Sequence, residues 1–298
     1  MIAILKRELK CMIAIFKREF KAYFLSPIGY IYMGFFLLLT GIFFTSGNLL
    51  PQNSRFSTFF GSLTFIYIFA VPLLTMRLFS EEKRQKTDQL LLTSPVSISG
   101  IVCGKFFAAL ILFAMTLVIT LLYAVVIAIY GDFQWAETAG SYIGFLFMGA
   151  GYIAVGLFIS AGTENQLTAA LATFFTLFLL LVIDPVARMI PPDIRSGLIS
   201  AGFLAALVAF FVFLNTRNWF ITAGTLVLCA LIIGGFWLFR QNVFAGFLTN
   251  FLGWFSLNRR YQSFTMGLLK FDALVYYASF CAFFLFLTVR IIEKRRWN

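Results

Sequence analysis

Histidine is absent from the 298-residue chain. That removes the side chain most often used for acid–base chemistry near neutral pH, and the commonest metal ligand. Cysteine is scarce: Cys11, Cys103, Cys229 and Cys281 lie far apart and form no Cys-x-x-Cys pair. Cys229 and Cys281 sit in apolar runs, where a thiol behaves as a small hydrophobe. Neither a structural metal nor a disulfide framework is expected. No Gly-x-x-x-x-Gly-Lys-Ser/Thr loop occurs, so the chain does not hold ATP in a P-loop. Asp184, Asp193 and Asp272 each fall at a predicted helix boundary and read as caps or interface charges facing water. No catalytic residue and no cofactor is expected. The largest deficit is charge: Asp, Glu, Lys and Arg supply 12% of the residues, against about a quarter in soluble domains.

What replaces charge is apolar surface. Hydrophobic residues make up 61% of the chain, mean hydropathy is +0.93, and there are 40 phenylalanines, natural where side chains face lipid. This is the composition of an all-α polytopic membrane protein. Eight apolar runs are candidate spans: 28–46, 59–76, 106–129, 141–160, 167–183, 197–214, 219–239 and 273–289. Each has 17–24 residues and none contains Asp, Glu, Lys or Arg; a helical crossing needs roughly 20. With no ionisable group inside a span, an ion-coupled carrier is disfavoured, because coupling usually relies on a buried carboxylate or base. A passive pore, a scaffold, or a conduit powered by another polypeptide remains.

An even number of crossings puts both termini on one side. If that side is the cytosol, the inner segments carry 16 Lys and Arg and the outer segments 7, as the positive-inside rule requires. The formal charge of +11 is thus accounted for by topology, with no nucleic-acid partner. The charged, amphipathic N-terminus does not read as a cleavable signal peptide.

Residues 2–9 and 13–20 are near copies offset by 11 positions, close to three helical turns, so both copies share a face. Phe16 and Phe20 lie on the apolar side and Lys17, Arg18 and Lys21 on the polar side, giving an amphipathic helix over residues 1–26 on the cytoplasmic membrane surface, attracted by anionic lipid. The first copy is either an extra turn or two of this helix or a dispensable extension. Pro27 turns the chain into the bilayer, and residues 27–298 form one transmembrane domain. Pro72 is expected to kink the second span. Gly144, Gly149, Gly151 and Gly156 offer close helix contacts in the fourth, and residues 240–271 are read as one or two outer interfacial helices.

The segment 80–104 is the long polar interlude between the second and third spans. Ser80 suits an N-cap, and Glu81 and Glu82 suit the positive end of a helix dipole. Leu90, Leu91 and Leu92 make an apolar tip, and Pro95 marks a stop. Such a helix is placed to push on something outside the membrane; an ordinary solvated surface helix is the alternative.

These motifs resemble the membrane subunit of type-two ABC exporters, in particular the branch that includes the gliding-motility-associated permease. The likeness lies in residues 13–24 followed by Ser26-Pro27-Ile28-Gly29-Tyr30, in Glu81-Glu82-Lys83-Arg84, in Leu90-Leu91-Leu92-Thr93-Ser94-Pro95-Val96, in Gly104-Lys105, in the turn Glu164-Asn165-Gln166, and in the C-terminal Glu293-Lys294-Arg295-Arg296-Trp297. Lys86 stands where the family usually has Gly, and Gln89 where Glu is common. The resemblance implies a six-helix core, here with an added hairpin. It implies two permease copies (or a related permease as partner), a separate cytosolic ABC ATPase, a bacterial cytoplasmic membrane and a lateral substrate route past the first, second and fifth spans. It also implies that Glu81, Glu82, Arg84, Leu90–Leu92 and Pro95 contact the ATPase. Lipids, drugs and peptides all suit such apolar spans. A non-transporting anchor for a surface or motility complex is the alternative function.

Overall fold

The computed structural model describes residues 2–87, 97–131, 133–189, 191, 193–239 and 245–297. Helices account for all the regular structure among them. Seven stretches are long and apolar enough to cross a membrane, and the described apolar run Trp219–Gly235 is a shorter eighth. The chain is a multi-pass membrane protein of about eight spans. It divides into two compact units, Met1–Leu179 with Arg260–Asn298, and Leu180–Arg259.

In the first unit, α1 (Ile2–Leu25) is one unbroken helix, so the first copy of the repeat forms extra turns of it. Ser26 and the first-turn Pro27 open α2 (Pro27–Phe44), where a missing N–H costs nothing. A π turn, Thr45–Leu49, extends α2. The second span comprises α3 (Phe56–Leu63), a 3₁₀ turn (Thr64–Ile66) and α4 (Tyr67–Thr75). Pro72 lies within α4, and the irregular turn lies N-terminal to it rather than at the proline itself. Next come α5 (Ser80–Arg84), α6 (Ile98–Tyr130), α7 (Trp135–Gly162) and α8 (Gln166–Met189). After the second unit the chain returns in α12 (Leu257–Thr265) and α13 (Phe271–Trp297).

Helix α7 lies at the centre, with 72% of its span window buried. Its glycines admit neighbours: an added Cβ at Gly149 would strike Phe113 of α6, at Gly156 Thr75 of α4, and at Gly144 the ring of Phe264. Phe36, Phe59, Phe60, Phe113, Phe145 and Phe264 are fully buried, as is Tyr67. The phenylalanine excess therefore serves helix packing as well as lipid contact. Tyr67 stacks on Phe145 at 4.4 Å between centroids and donates its hydroxyl hydrogen to Phe145 O; such pairs contribute about 0.5–1.5 kcal/mol beyond their area.

The second unit holds the end of α8, the hairpin α9 (Ile194–Thr216) and α10 (Trp219–Phe239), and α11 (Phe247–Phe255) with the start of α12. Arg217 closes the hairpin turn with left-handed backbone, φ 46°. Two short helices, α11 and α12, follow residue 245. Asp184 departs from it: the side chain is buried, accepting a hydrogen bond from Ser256 Oγ at 2.5 Å. Ser256 Oγ also accepts from Arg259 N at 3.0 Å, so Asp184 fastens helices instead of facing water.

Candidate functional site

Helix α5 follows the second span directly, and its first residues are capped from a distance. Ser80 was the expected cap, but its hydroxyl donates back to Met76 O. The free N–H groups of Phe79 and Ser80 donate instead to Ser160 Oγ, at 3.2 and 3.3 Å, and Ser160 donates in turn to Met76 O at 3.3 Å. One hydroxyl near the end of α7 thus satisfies the free N–H groups of a helix start and shares Met76 O with the Ser80 hydroxyl. Lys83 Nζ donates to Ala161 O, adding a cation at the carbonyl end of α7.

Beside α5 lies a cluster of charges from three helices. Lys105, on α6, is 1% exposed. Its Nζ donates to Leu78 O at 2.6 Å, and lies 3.1 Å from Glu19 Oε1 of α1 and 3.0 Å from Glu82 Oε1 of α5. It also sits 5.1 Å from the centroid of the Phe79 ring. Arg18 bridges the same two carboxylates from the rim, at 2.7 Å to Glu19 and 2.8 Å to Glu82. A buried ammonium requires this many oxygen partners. Gly104 makes the approach feasible, since a Cβ there would come within 3.1 Å of Met12 O and of the Ile15 side chain. The other flank is Arg77, 3.2 Å from Glu81 and donating to Ser26 Oγ at 2.8 Å, with the Tyr23 hydroxyl donating to Leu74 O at 2.9 Å. Arg18, Glu19, Tyr23, Arg77, Glu82 and Lys105 line a pocket of about 350 Å³.

Burial pushes the Glu19 carboxyl up, but the Lys105 charge, the hydrogen bond from Arg18 and the Arg18 charge together hold it below the usual carboxylate range. Burial, reinforced by Glu19, pushes the Tyr23 phenol up, so it stays a hydrogen-bond donor.

The structure separates the two predicted carboxylates. Glu82 is engaged inside the cluster, whereas Glu81 is one-third exposed and paired only along its own helix turn. Arg84 is exposed at the end of α5. The helix is only five residues long, and the chain turns at Gln85–Thr87 with Lys86 at φ 57°. That is the backbone region glycine tolerates and other residues resist. Leu90, Leu91, Leu92 and Pro95 lie outside the described residues, as does Gln89. Phe16 stacks on Phe20 at 5.7 Å, and Phe20 meets Phe24 edge-on at 5.1 Å. Lys17 and Lys21 are exposed on the opposite face. In the turn after α7, Glu164 pairs with Arg295 of α13, and Asn165 Oδ1 accepts from Leu167 N at 2.9 Å, with Gln166 opening α8.

Sequence reasoning missed Glu19, Tyr23, Arg77, Lys105 and Ser160 as site residues. The third apolar run was started after Lys105, whereas α6 begins at Ile98 and carries that lysine inside the helix. A signal was available: Lys105 is the only charge between Ser97 and Tyr130, and Glu19 follows Phe16 by three positions, on the apolar side of α1.

No nucleophile with an adjacent base occurs in this arrangement. It ties three helices and two span ends into one charged node. A family model described as ABC-2 family transporter protein matches residues 13–289. No curated protein sequence matches the chain.

Proposed function

Because the chain belongs to the ABC-2 transporter family, we propose that it is the permease of an ATP-driven exporter whose coupling segment, residues 80–104, docks on a separate ATPase. Family members are membrane transport components that work with a cytosolic ATPase subunit and dimerise. The observation that carries the reading is the double fastening of α5. Glu82 ties it to α1 and α6 through Arg18 and Lys105, and Ser160 ties its start to α7. A push on this segment is therefore delivered to the first, second, third and fourth spans together.

In this reading Glu81 and Arg84 form the exposed charged part of the contact, where complementarity fixes register more than it adds affinity. Leu90–Leu92 fill an apolar recess on the ATPase, and Pro95 ends the segment. Glu82 acts inward, holding the segment to the permease. Residues 1–26, Glu164–Gln166 and the C-terminus face the cytosol of a bacterial plasma membrane, as the 16-to-7 charge bias supports. The motifs resemble those of the gliding-motility branch, and a second permease copy packs partly through the first and fifth spans.

The test is reconstitution with a P-loop ATPase that co-purifies with the chain. Leu91→Ala should weaken recovery of that ATPase, since one buried leucine contributes roughly 1.5–3 kcal/mol before ordering costs. Glu81→Lys should lower ATP-dependent export at unchanged membrane abundance. Unaltered recovery and export in both variants would remove the segment from the contact, and full transport without ATP would overturn the exporter. Orientation is read by cysteine labelling in intact cells: an impermeant reagent should reach Gln134→Cys, and reaction at Gln85→Cys instead would reverse the topology.

A further inference from the structure

Helices α6 and α7 run antiparallel and touch closely on the side nearer α5. A Cβ at Gly149 would strike the Phe113 ring, and one stage farther along the Thr120 and Tyr142 hydroxyls lie 3.2 Å apart. Beyond that bridge, toward the turn that joins the two helices, a groove of about 430 Å³ opens between them. Leu121 and Val125 of α6 face Ile143 of α7 across it, and the small side chains Ala124, Ala128 and Ala139 leave the space. Phe133 and Trp135, edge-on at 4.7 Å, stand at its far end.

The occupant follows from depth, walls and surroundings. The wall from Leu121 to Ala128 covers about 10 Å at 1.5 Å per residue, against about 15 Å for one leaflet of a ~30 Å hydrocarbon core. Trp135 opens α7 and is 77% exposed, and tryptophan at a span end sits at head-group depth. The groove thus descends from that depth through most of one leaflet and ends at the Thr120–Tyr142 bridge. A helix of another subunit would follow these spans through both leaflets, whereas a flexible chain entering from the surface matches the depth. The hydroxyls on the walls are engaged at home: Thr138 Oγ1 donates to Gln134 O at 2.9 Å, and Tyr142 meets Thr120. The described walls therefore present hydrocarbon. Water needs several polar partners to settle in such a place, and a gap beside these side chains forfeits dispersion contacts. Val125 and Ile143 are exposed on two membrane spans, so the neighbouring medium is itself hydrocarbon. Asp132 lies outside the described residues, so no head-group chemistry is assigned.

We propose that this groove holds one acyl chain of a membrane lipid, in the leaflet remote from α5, with the ester end of the chain at Trp135 and its methyl end at the Thr120–Tyr142 bridge. The site requires neither ATP nor the coupling segment, so its failure would leave the exporter reading intact.

The experiment uses the full chain in a steroid-based detergent, which carries no alkyl chain to compete, incubated with dioleoyl phosphatidylcholine and read by native mass spectrometry. One lipid should stay bound. Ala128→Phe and Ala139→Phe fill the groove from exposed alanines and leave the core alone. Each should lower retention about tenfold, roughly 1.4 kcal/mol. Val118→Phe, at an exposed position of α6 outside the groove, should leave retention unchanged. Dodecyl maltoside, whose alkyl tail mimics the chain, should displace the lipid. No retained lipid would overturn the proposal, as would retention that survives both filled variants or that falls equally in Val118→Phe. A disulfide between two tagged copies carrying Val125→Cys would assign the groove to a second copy and overturn it as well.

Discussion

The two ends of the first unit solve opposite problems. At one end, Lys105, Glu19, Glu82 and Arg18 gather buried and half-buried charges and satisfy them within the chain. At the other, Asn48 is a buried neutral amide that donates to two loop carbonyls, Asn53 O and Arg55 O. A closed set of partners makes a joint that moves as one body, which suits transmission. A neutral amide that donates to two backbone carbonyls fixes the shape of one loop and couples no other helix. The same short stock of polar residues yields either, according to whether its partners lie on other helices or in the next turn of chain.

The largest effect should come from breaking the closed end. Lys105→Met leaves Glu19 and Glu82 to share Arg18 alone, and removing one member of a buried ion cluster costs about 3–5 kcal/mol. The lower part of that range applies, because Glu19 and Glu82 keep 14% and 18% of their side-chain exposure. Asn48→Ala should cost less, about 1–2 kcal/mol, as it forfeits two neutral hydrogen bonds to backbone carbonyls. Thermal unfolding of the purified protein checks both, and an equal loss would erase the contrast.

Within the charged end, Glu82→Gln should destabilise by about 1–3 kcal/mol, against about 0.5 kcal/mol for Glu81→Gln, whose pair is a part-exposed helix-turn contact. A reversed order in melting temperature would mean that Glu82 is not the inward-facing member.

Acid sharpens the comparison further. The Glu19 carboxyl is held below its ordinary value of 4.5, so its folded form binds fewer protons than its unfolded form. Its contribution is present above that ordinary value and is lost as pH falls through the lowered one. Melting temperature should drop along this limb, and Glu19→Gln should flatten it. Asn48, with nothing to titrate, should leave the limb unchanged when replaced.

The smallest effect is a gain. Lys86→Gly relieves a left-handed backbone, φ 57°, worth about 1 kcal/mol before the entropy glycine adds to the unfolded chain. Unaltered or lower stability would show that the lysine side chain offsets its own strain.

Membrane class and span positions were legible in the sequence because hydropathy is a summed property of long windows, insensitive to single residues. The amphipathic face of α1 was legible for the same reason: Phe16, Phe20, Lys17 and Lys21 repeat with the helix period. The joint was not. Its members come from residues 18–19, 77–82, 105 and 160, and no local pattern relates Ser160 to the N–H groups of Phe79 and Ser80. Lys105 was hidden by the habit of ending a span at its first charge, although a buried lysine is admissible wherever carboxylates arrive from elsewhere. Asn48 was invisible in another way. It resembles any loop asparagine until the π turn and the two carbonyls that lock its amide are known.

The pairing of Glu19 with Lys105 spans 86 positions along the chain, and this sets a schedule for synthesis. At roughly 5–20 residues per second, on the order of 4–17 s separate the emergence of the two partners. Throughout that interval Glu19 has no buried cation to meet. The N-terminal helix must then wait undocked, its carboxylate without that partner, until α6 is in place. Docking of that helix is therefore a late event that only a correctly placed third span can trigger, and a chain whose Lys105 has been inserted out of register leaves its first helix undocked, a ready mark for the proteases that clear misassembled membrane proteins.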